Sequence, residues 1–152
     1  MRISAKADYA VRATAELAGA GLEPPIAAEA LASAQRIPHR FLEGILSDLR
    51  RDGIVMSQRG PRGGYRLARP AEEITVADVV RAVDGPLVFV RGERPSQLEY
   101  AGAAAGLPEV WVALRANVRA VLETVSIADL RAGTLPEVVR SLTRDEAAWT
   151  NP

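Results

Sequence analysis

The sequence predicts a mostly α-helical fold with a small β-hairpin inserted after its first three helices. Three segments with apolar residues at helical spacing occupy the first 51 residues. Two short extended segments then flank a turn that holds three glycines and a proline. Further along, one segment keeps an apolar stripe at helical spacing over most of its length.

The three predicted helices before the hairpin cover residues 5–19, 27–34 and 39–51. Ser4 supplies an N-cap for the first helix, and the glycines and prolines within residues 19–25 end it. Leu31 and Ala34 are predicted to face inward on the second helix. Pro38 suits the start of the third helix, because its missing N–H is not needed there. The third helix is predicted to bury an apolar face made of Phe41, Leu42, Ile45, Leu46 and Leu49.

The hairpin joins predicted strands at residues 54–58 and 65–68 through the sequence Arg59-Gly60-Pro61-Arg62-Gly63-Gly64. Gly53 ends the preceding helix, and Pro70 closes the unit. Because only a short turn separates the second and third helices, the order of elements is that of a winged helix-turn-helix, in which the hairpin is the wing.

Downstream of the wing, the predicted elements are a helix over 76–83, a loop over 92–108, a long helix over 109–124, a closing helix over 127–132 and a polar tail. Thr75 and Asp78 form a capping box at the first of these helices, and Ser126 begins the closing helix. We divide the chain into a winged helix-turn-helix domain (1–70), a connector helix and loop (71–108), a dimerisation helix with its closing turn (109–132) and a tail (133–152).

The long helix carries an apolar stripe, and Arg115 and Arg119 lie off it. Such a stripe either packs inside its own chain or meets a partner helix. The second alternative is favoured, because the N-terminal part has its own core and little other chain remains to cover the stripe. A two-fold homodimer would bury Val110, Trp111, Leu114, Val118, Val121, Leu122 and Val125. The predicted fold class is therefore a winged helix-turn-helix domain plus a long dimerisation helix.

Composition argues against an enzyme. The 152 residues include no cysteine and one histidine, which excludes disulfides, thiolate metal sites and cysteine nucleophiles. No phosphate-binding loop, dinucleotide-binding glycine motif or nucleophile elbow is present. Because the sequence lacks an apolar run long enough for a membrane span and begins with charged residues unlike a signal peptide, we expect a cytoplasmic protein without a membrane partner.

Charge is unevenly distributed along a chain whose net charge is zero. Residues 1–69 hold 11 Lys and Arg against 7 Asp and Glu, whereas residues 70–152 hold 8 against 12. A basic N-terminal half joined to an acidic C-terminal half is expected of a module that binds nucleic acid followed by one that does not.

The third helix and the wing carry the residues that would contact double-stranded DNA. On the exposed face of the helix, Arg40 can donate a bidentate pair to guanine, Glu43 can accept from cytosine, and His39 can donate to a base edge or a phosphate. The wing arginines stand among glycines, which let the backbone approach a phosphate or a narrow minor groove. Alone, these side chains could be a solvated helix face, and Arg50 and Arg51 could instead serve the C-terminal dipole of the helix. Together with a wing they favour DNA. The predicted contacts are His39, Arg40, Glu43, Ser47, Arg50, Arg51, Arg59, Gly60, Arg62, Gly63 and Tyr65.

Together these segments resemble the Rrf2 family of bacterial transcription regulators. The resemblance covers residues 1–90 and about 108–132, and its most specific part is the wing string over 59–70. The other matching segments are 1–4 with Tyr9 and Ala10, 37–43, 49–55, 73–75, 83–87 and 114–130. The likeness implies a homodimer with a winged helix at each end of a crossed pair of long helices. It also implies that Arg59 enters the minor groove of a palindromic operator while Arg40 and Glu43 read the major groove, and that the chain is a repressor, as many members are.

Several members of the family sense iron–sulfur status, nitric oxide or redox state through three cysteines in the loop before the dimerisation helix. The corresponding loop here, residues 91–108, has none, and Asp8, His39 and Glu99 cannot replace three thiolates. We therefore expect no iron–sulfur cluster and no other cofactor. The regulatory signal stays open: a small-molecule effector could bind over Tyr100 and Trp111, although dimer packing is the commoner use of such aromatics, or a regulatory protein could dock on the chain.

Two positions depart from the pattern of the family. Ala27 stands where Ser or Thr often caps the second helix, so the phosphate contact of such a cap stays open, and Gln35-Arg36 occupies a turn that more usually holds glycine. The alternative hypothesis is a winged-helix interaction module that does not bind DNA. Binding to DNA at low salt, weakened in an Arg59→Ala variant, distinguishes the two hypotheses.

Overall fold

The computed structural model describes residues 1–21 and 23–150. Over these residues it contains α1 (Ala5–Ala20), α2 (Ala28–Gln35), α3 (His39–Arg51), β1 (Val55–Gln58), β2 (Gly64–Leu67), α4 (Val76–Asp84), α5 (Leu107–Leu122), α6 (Ile127–Ala132) and α7 (Glu137–Leu142). Short 3-10 turns lie at Ala71–Glu73, Pro95–Gln97, Gly102–Ala104 and Glu146–Trp149. Helices α3 and α6 begin and end at the predicted residues, and the other predicted helices and strands agree within two residues.

The helix caps follow the sequence. The hydroxyl of Ser4 accepts a backbone N–H of the first turn of α1 at 2.9 Å. Thr75 and Asp78 form a reciprocal capping box at α4, with distances of 3.1 and 3.0 Å. Ser126 and Asp129 repeat this arrangement at α6. These caps satisfy N–H groups that have no partner within the helix, which is why the helices start where they do.

One hydrophobic core runs from α1 to α6. Helix α1 lies at its centre and packs against α2, α3, α4 and α6. Leu17 and Leu42 share this core with Ile74 and Ile127, and all four side chains are fully or almost fully buried. The core therefore continues across residue 70, where the predicted DNA-binding domain ends. The division of the chain at that residue stays a prediction about function.

Two predictions about burial are wrong. Phe41 is 48% exposed, because it lies at the rim between α1 and α3, with its ring centroid 6.3 Å from that of Tyr9. On α2, Ala32 is buried and Ala34 is exposed.

The segment predicted only as a polar tail contains α7 and a 3-10 turn, which were not predicted from the sequence. Val138 and Val139 are half-buried, and α7 packs against α5. The predicted loop over 92–108 is interrupted by two 3-10 turns and by the start of α5. Within the described ranges, no helix is long and apolar enough to cross a membrane.

Candidate nucleic-acid interface

Helices α2 and α3 form the helix-turn-helix, and the turn between them is tight. Arg36 lies in the left-handed region at φ 52°, and its N–H donates to the carbonyl of Ser33 at 3.4 Å. The next N–H, that of Ile37, donates to the carbonyl of Ala32 at 2.9 Å, and the Ile37 side chain is buried. Glycine favours this conformation, so the arginine at this position carries conformational strain.

A partly exposed ion pair between Lys6 and Asp48 holds α3 against α1. The ammonium of Lys6 lies 2.5 Å from the carboxylate of Asp48 and donates to the carbonyl of Val83 at 3.2 Å. The hydrogen bond from Lys6 holds the pKa of Asp48 below its ordinary value, against the opposing effect of burial. Arg51 lies 3.0 Å from the same carboxylate and 3.7 Å from Asp52. Arg51, one of the predicted DNA contacts, is therefore already paired with carboxylates of its own chain.

The outer face of α3 is exposed at every predicted contact position, including Glu43 and Ser47. The guanidinium of Arg40 stacks on the ring of Phe41, 4.8 Å from its centroid. His39 lies between two carboxylates, with Nε2 3.6 Å from Glu29 and Nδ1 4.0 Å from Glu43. Arg40 is thus oriented by an aromatic ring rather than neutralised by a carboxylate, and its charge stays available.

The wing is attached to the segment before α2. Strands β1 and β2 pair in antiparallel register, with Gln58 opposite Gly64. Ile26 and Tyr65 then form an isolated bridge, in which each N–H donates to the carbonyl of the other residue at 2.8 Å. A Cβ on Gly64 would lie 2.3 Å from the Ile26 carbonyl oxygen, and one on Gly63 would lie 2.2 Å from that of Gln58. These two glycines are needed because backbone packs directly on backbone.

A groove of about 430 Å³ lies between the wing, the start of α2 and the end of α3. Arg50 and Arg59 line it, and Glu29 is the one carboxylate among its lining residues. Arg50 donates to the hydroxyl of Ser57 at 3.4 Å. Ala27 gives no side-chain cap to α2, so the free N–H groups of that helix add partial positive charge at this end of the groove.

The arginines at the tip of the wing have no acidic partner. In residues 1–21 and 23–150, the structure shows no salt bridge or side-chain hydrogen bond for Arg59 or Arg62, and both are exposed. The structure therefore brings Arg50, Arg59, Gly60, Gly63 and Tyr65 together around one groove, whereas His39, Arg40, Glu43 and Ser47 lie along α3. Sequence reasoning missed Gln58 and the residues of the α2 start as groove residues, since nothing in the local pattern records the bridge at Ile26.

The apolar stripe that is predicted to form the dimer interface is partly exposed. Helix α5 has no buried residue, and Val110 and Leu114 are 56% and 36% exposed. The half-buried members of the stripe are Trp111, Val118, Val121 and Leu122. Val125 departs from the prediction: it lies beyond the end of α5 and is buried within its own chain, where its carbonyl accepts from the N–H of Val76 at 2.9 Å.

The residues present do not fit an iron–sulfur cluster, whose iron is held mainly by cysteine. The sequence offers no thiolate, and the described part of the chain brings no three His, Asp or Glu side chains together. Asp8, one of the side chains compared above with the cluster-binding thiolates of the family, instead accepts a hydrogen bond from Arg12 at 2.8 Å.

Comparisons with known proteins agree with one another. The family model Rrf2, described as an iron-dependent transcriptional regulator, matches residues 3–133. A protein of Mycobacterium tuberculosis (strain ATCC 25618 / H37Rv), provisionally named an HTH-type transcriptional regulator, is 50% identical over 148 residues, which cover 97% of this chain and 92% of that protein. The HTH-type transcriptional regulator CymR of Bacillus subtilis (strain 168) is 31% identical over 137 residues, covering 88% of this chain and 92% of CymR.

Solved structures are similar over most of the chain. The structure of CymR, the global cysteine regulator of B. subtilis, has a TM-score of 0.70 at 30% identity and covers 88% of this chain and 98% of its own. IscR of T. potens has a TM-score of 0.69 at 26% identity, with coverages of 100% and 94%. These likenesses confirm the predicted fold class, a mostly helical chain with a two-stranded wing.

Proposed function

The chain belongs to the Rrf2 family of transcriptional regulators, and we propose that it binds a palindromic operator in double-stranded DNA as a homodimer and represses transcription. The observation that carries this proposal is the groove beside the wing, where unneutralised arginines meet the uncapped start of α2. A groove with excess positive charge and free backbone donors attracts a phosphate backbone. The named relatives are transcriptional regulators, and we assign the cytoplasm as the compartment because the operator is there.

In this proposal α3 enters the major groove, with Arg40 and Glu43 directed at base edges. The wing follows the adjacent backbone, and Arg59 enters the minor groove. Arg50 and the start of α2 hold phosphates and set the register. We assign DNA binding to residues 1–70, connection to 71–108, dimerisation to 109–132 and no DNA contact to 133–152.

Dimerisation is supported by α5, whose exposed valine and leucine side chains lie in a row on a helix without buried residues. Apolar area of this kind is stabilised when a second copy covers it. Two recognition helices then face two half-sites, which accounts for a palindromic operator. Since the chain lacks cluster ligands, we propose that its regulation does not use an iron–sulfur cluster.

Selection of bound sequences from random DNA by the full-length protein tests the proposal, followed by fluorescence anisotropy on the recovered site. Arg59→Ala should weaken binding by about 1–3 kcal/mol, or roughly 5- to 150-fold. The slope of the logarithm of the binding constant against the logarithm of the salt concentration should also become less negative by about 0.9, the contribution of one phosphate contact. Arg140→Ala, an exposed arginine on α7, is the matched control and should bind as the parent does. If no sequence is enriched and no DNA binds at low salt, the chain is an interaction module instead.

Leu114→Arg tests the homodimer separately. A charge placed in the covered stripe would be desolvated, so we expect the dimer dissociation constant to rise by about 30-fold or more, the effect of a hot spot of about 2 kcal/mol. Ala116→Arg, on the opposite side of α5, is the control and should leave the dimer intact. Sedimentation equilibrium gives both constants, and equal constants for the two variants would contradict the assigned stripe.

A further inference from the structure

We infer that a cavity between α4, α5 and the segment that follows α4 binds a small organic anion with an apolar group. The cavity has a volume of about 430 Å³ and is open on one side. Four arginines are among the residues that line it: Arg81, Arg94, Arg115 and Arg119. The remaining lining residues are mostly apolar and come from one short segment: Gly85, Pro86, Leu87, Val88 and Phe89.

The positive charge of this cavity is only partly neutralised by the protein. Glu123 is bonded to Arg119, with an Nε to Oε1 distance of 3.0 Å, and to Arg81. These hydrogen bonds, the one from Arg119 first, hold the pKa of Glu123 below its ordinary value, so its carboxylate stays charged. Across residues 1–21 and 23–150, the structure shows no salt bridge for Arg94 or Arg115. One carboxylate, bonded to two of the four arginines, thus offsets only part of the positive charge, and a bound anion would stabilise this arrangement.

The apolar side of the cavity indicates what kind of anion fits. Phe89 is 44% exposed although it follows the buried Val88, and Leu87 beside it is half-buried. An inorganic ion would leave this surface in water, whereas an organic acid would cover it while its carboxylate met a planar, bidentate arginine. The volume lies within the range of small-molecule sites, about 300–1,000 Å³.

The location of the cavity keeps it accessible in a dimer and away from DNA. Arg119 lies off the apolar stripe of α5 and is exposed, whereas Arg115 borders the stripe. A partner helix on the stripe therefore leaves the Arg119 side of the cavity open. All the lining residues belong to the half of the chain with 8 basic against 12 acidic residues, which disfavours a polyanion. An anion held between α4 and α5 would brace the helix that joins two subunits. That regulatory consequence rests on the proposed function, but anion binding itself does not.

Calorimetric titration of the full-length protein without DNA, at constant ionic strength, tests the inference. Sodium benzoate is the probe, benzamide its uncharged counterpart, and inorganic phosphate an anion without an apolar group. We expect saturable binding of benzoate and much weaker binding of the other two. Arg115→Gln and Arg94→Gln should each weaken benzoate binding by about tenfold, the effect of losing one charge-assisted hydrogen bond, and Arg140→Gln should have no effect.

Each other outcome overturns the inference. Equal binding of benzamide would remove the role of charge, and equal binding of phosphate would remove the role of the apolar side. Absence of saturable benzoate binding, or unchanged binding in both pocket variants, would remove the site. If Arg115→Gln fails to fold, the Arg94→Gln variant alone tests the site, because Arg94 is exposed. Because the titration contains no DNA, its failure leaves the proposed function standing, and failure to bind DNA leaves the titration unaffected.

Discussion

Replacing Gly64 by alanine puts a methyl group where backbone already lies. The new Cβ would be 2.3 Å from the carbonyl oxygen of Ile26 and 2.7 Å from the nitrogen of Ala27. Neither atom can turn aside as a side chain can, so β2 must move away from the start of α2. The two Ile26–Tyr65 hydrogen bonds, each 2.8 Å, would then be lost. At about 1 kcal/mol for each bond and about 1 kcal/mol for overpacking, we expect Gly64→Ala to lower the free energy of unfolding by about 3 kcal/mol.

Urea unfolding followed by circular dichroism measures this change. Gly44→Ala is the matched control, because Gly44 lies within α3 and its added Cβ would meet nothing within 4 Å. That variant should be more stable than the parent by about 0.5–1 kcal/mol, the difference between glycine and alanine in a helix. A Gly64→Ala protein within about 0.5 kcal/mol of the parent would refute the assigned packing of the wing. A similar loss in Gly44→Ala would show that the measured loss does not come from that packing.

Two further predictions concern the helix-turn-helix. Arg36→Gly should raise the free energy of unfolding by about 0.5–1 kcal/mol, because glycine adopts the left-handed conformation at φ 52° without strain. Urea unfolding measures this change, and a less stable variant would contradict the left-handed conformation assigned to Arg36. Since Lys6 holds the pKa of Asp48 below its ordinary value, the Lys6–Asp48 pair stabilises the fold above about pH 4, and this stabilisation is lost as the pH falls through the lowered pKa. The stability difference between the parent and Lys6→Met should therefore shrink from about pH 7 to about pH 2.5, and a constant difference would exclude the ion pair as its source.

The sequence by itself determined the helices up to residue 132, their caps and the wing, but not α7. Apolar spacing and caps depend on residues three or four positions apart, so a short window contains the whole interaction, as at Ser4 or Thr75 with Asp78. The glycine-rich wing string was equally local and specific. Its arginines could be predicted as DNA contacts from residue type and position, and they stay predictions until DNA binding is measured.

Only the tertiary structure decided how these parts meet. The ion pair of Lys6 with Asp48, the backbone contact of Gly64 with Ile26 and the burial of Val125 each join segments far apart in the chain. The exposure of Phe41 depends on how α1 packs against α3, which the helical spacing of α3 does not contain. The arginine-lined cavity likewise combines α4, α5 and the segment after α4. No local period records such contacts, because the free energy that fixes them comes from packing between elements rather than from propensity within one.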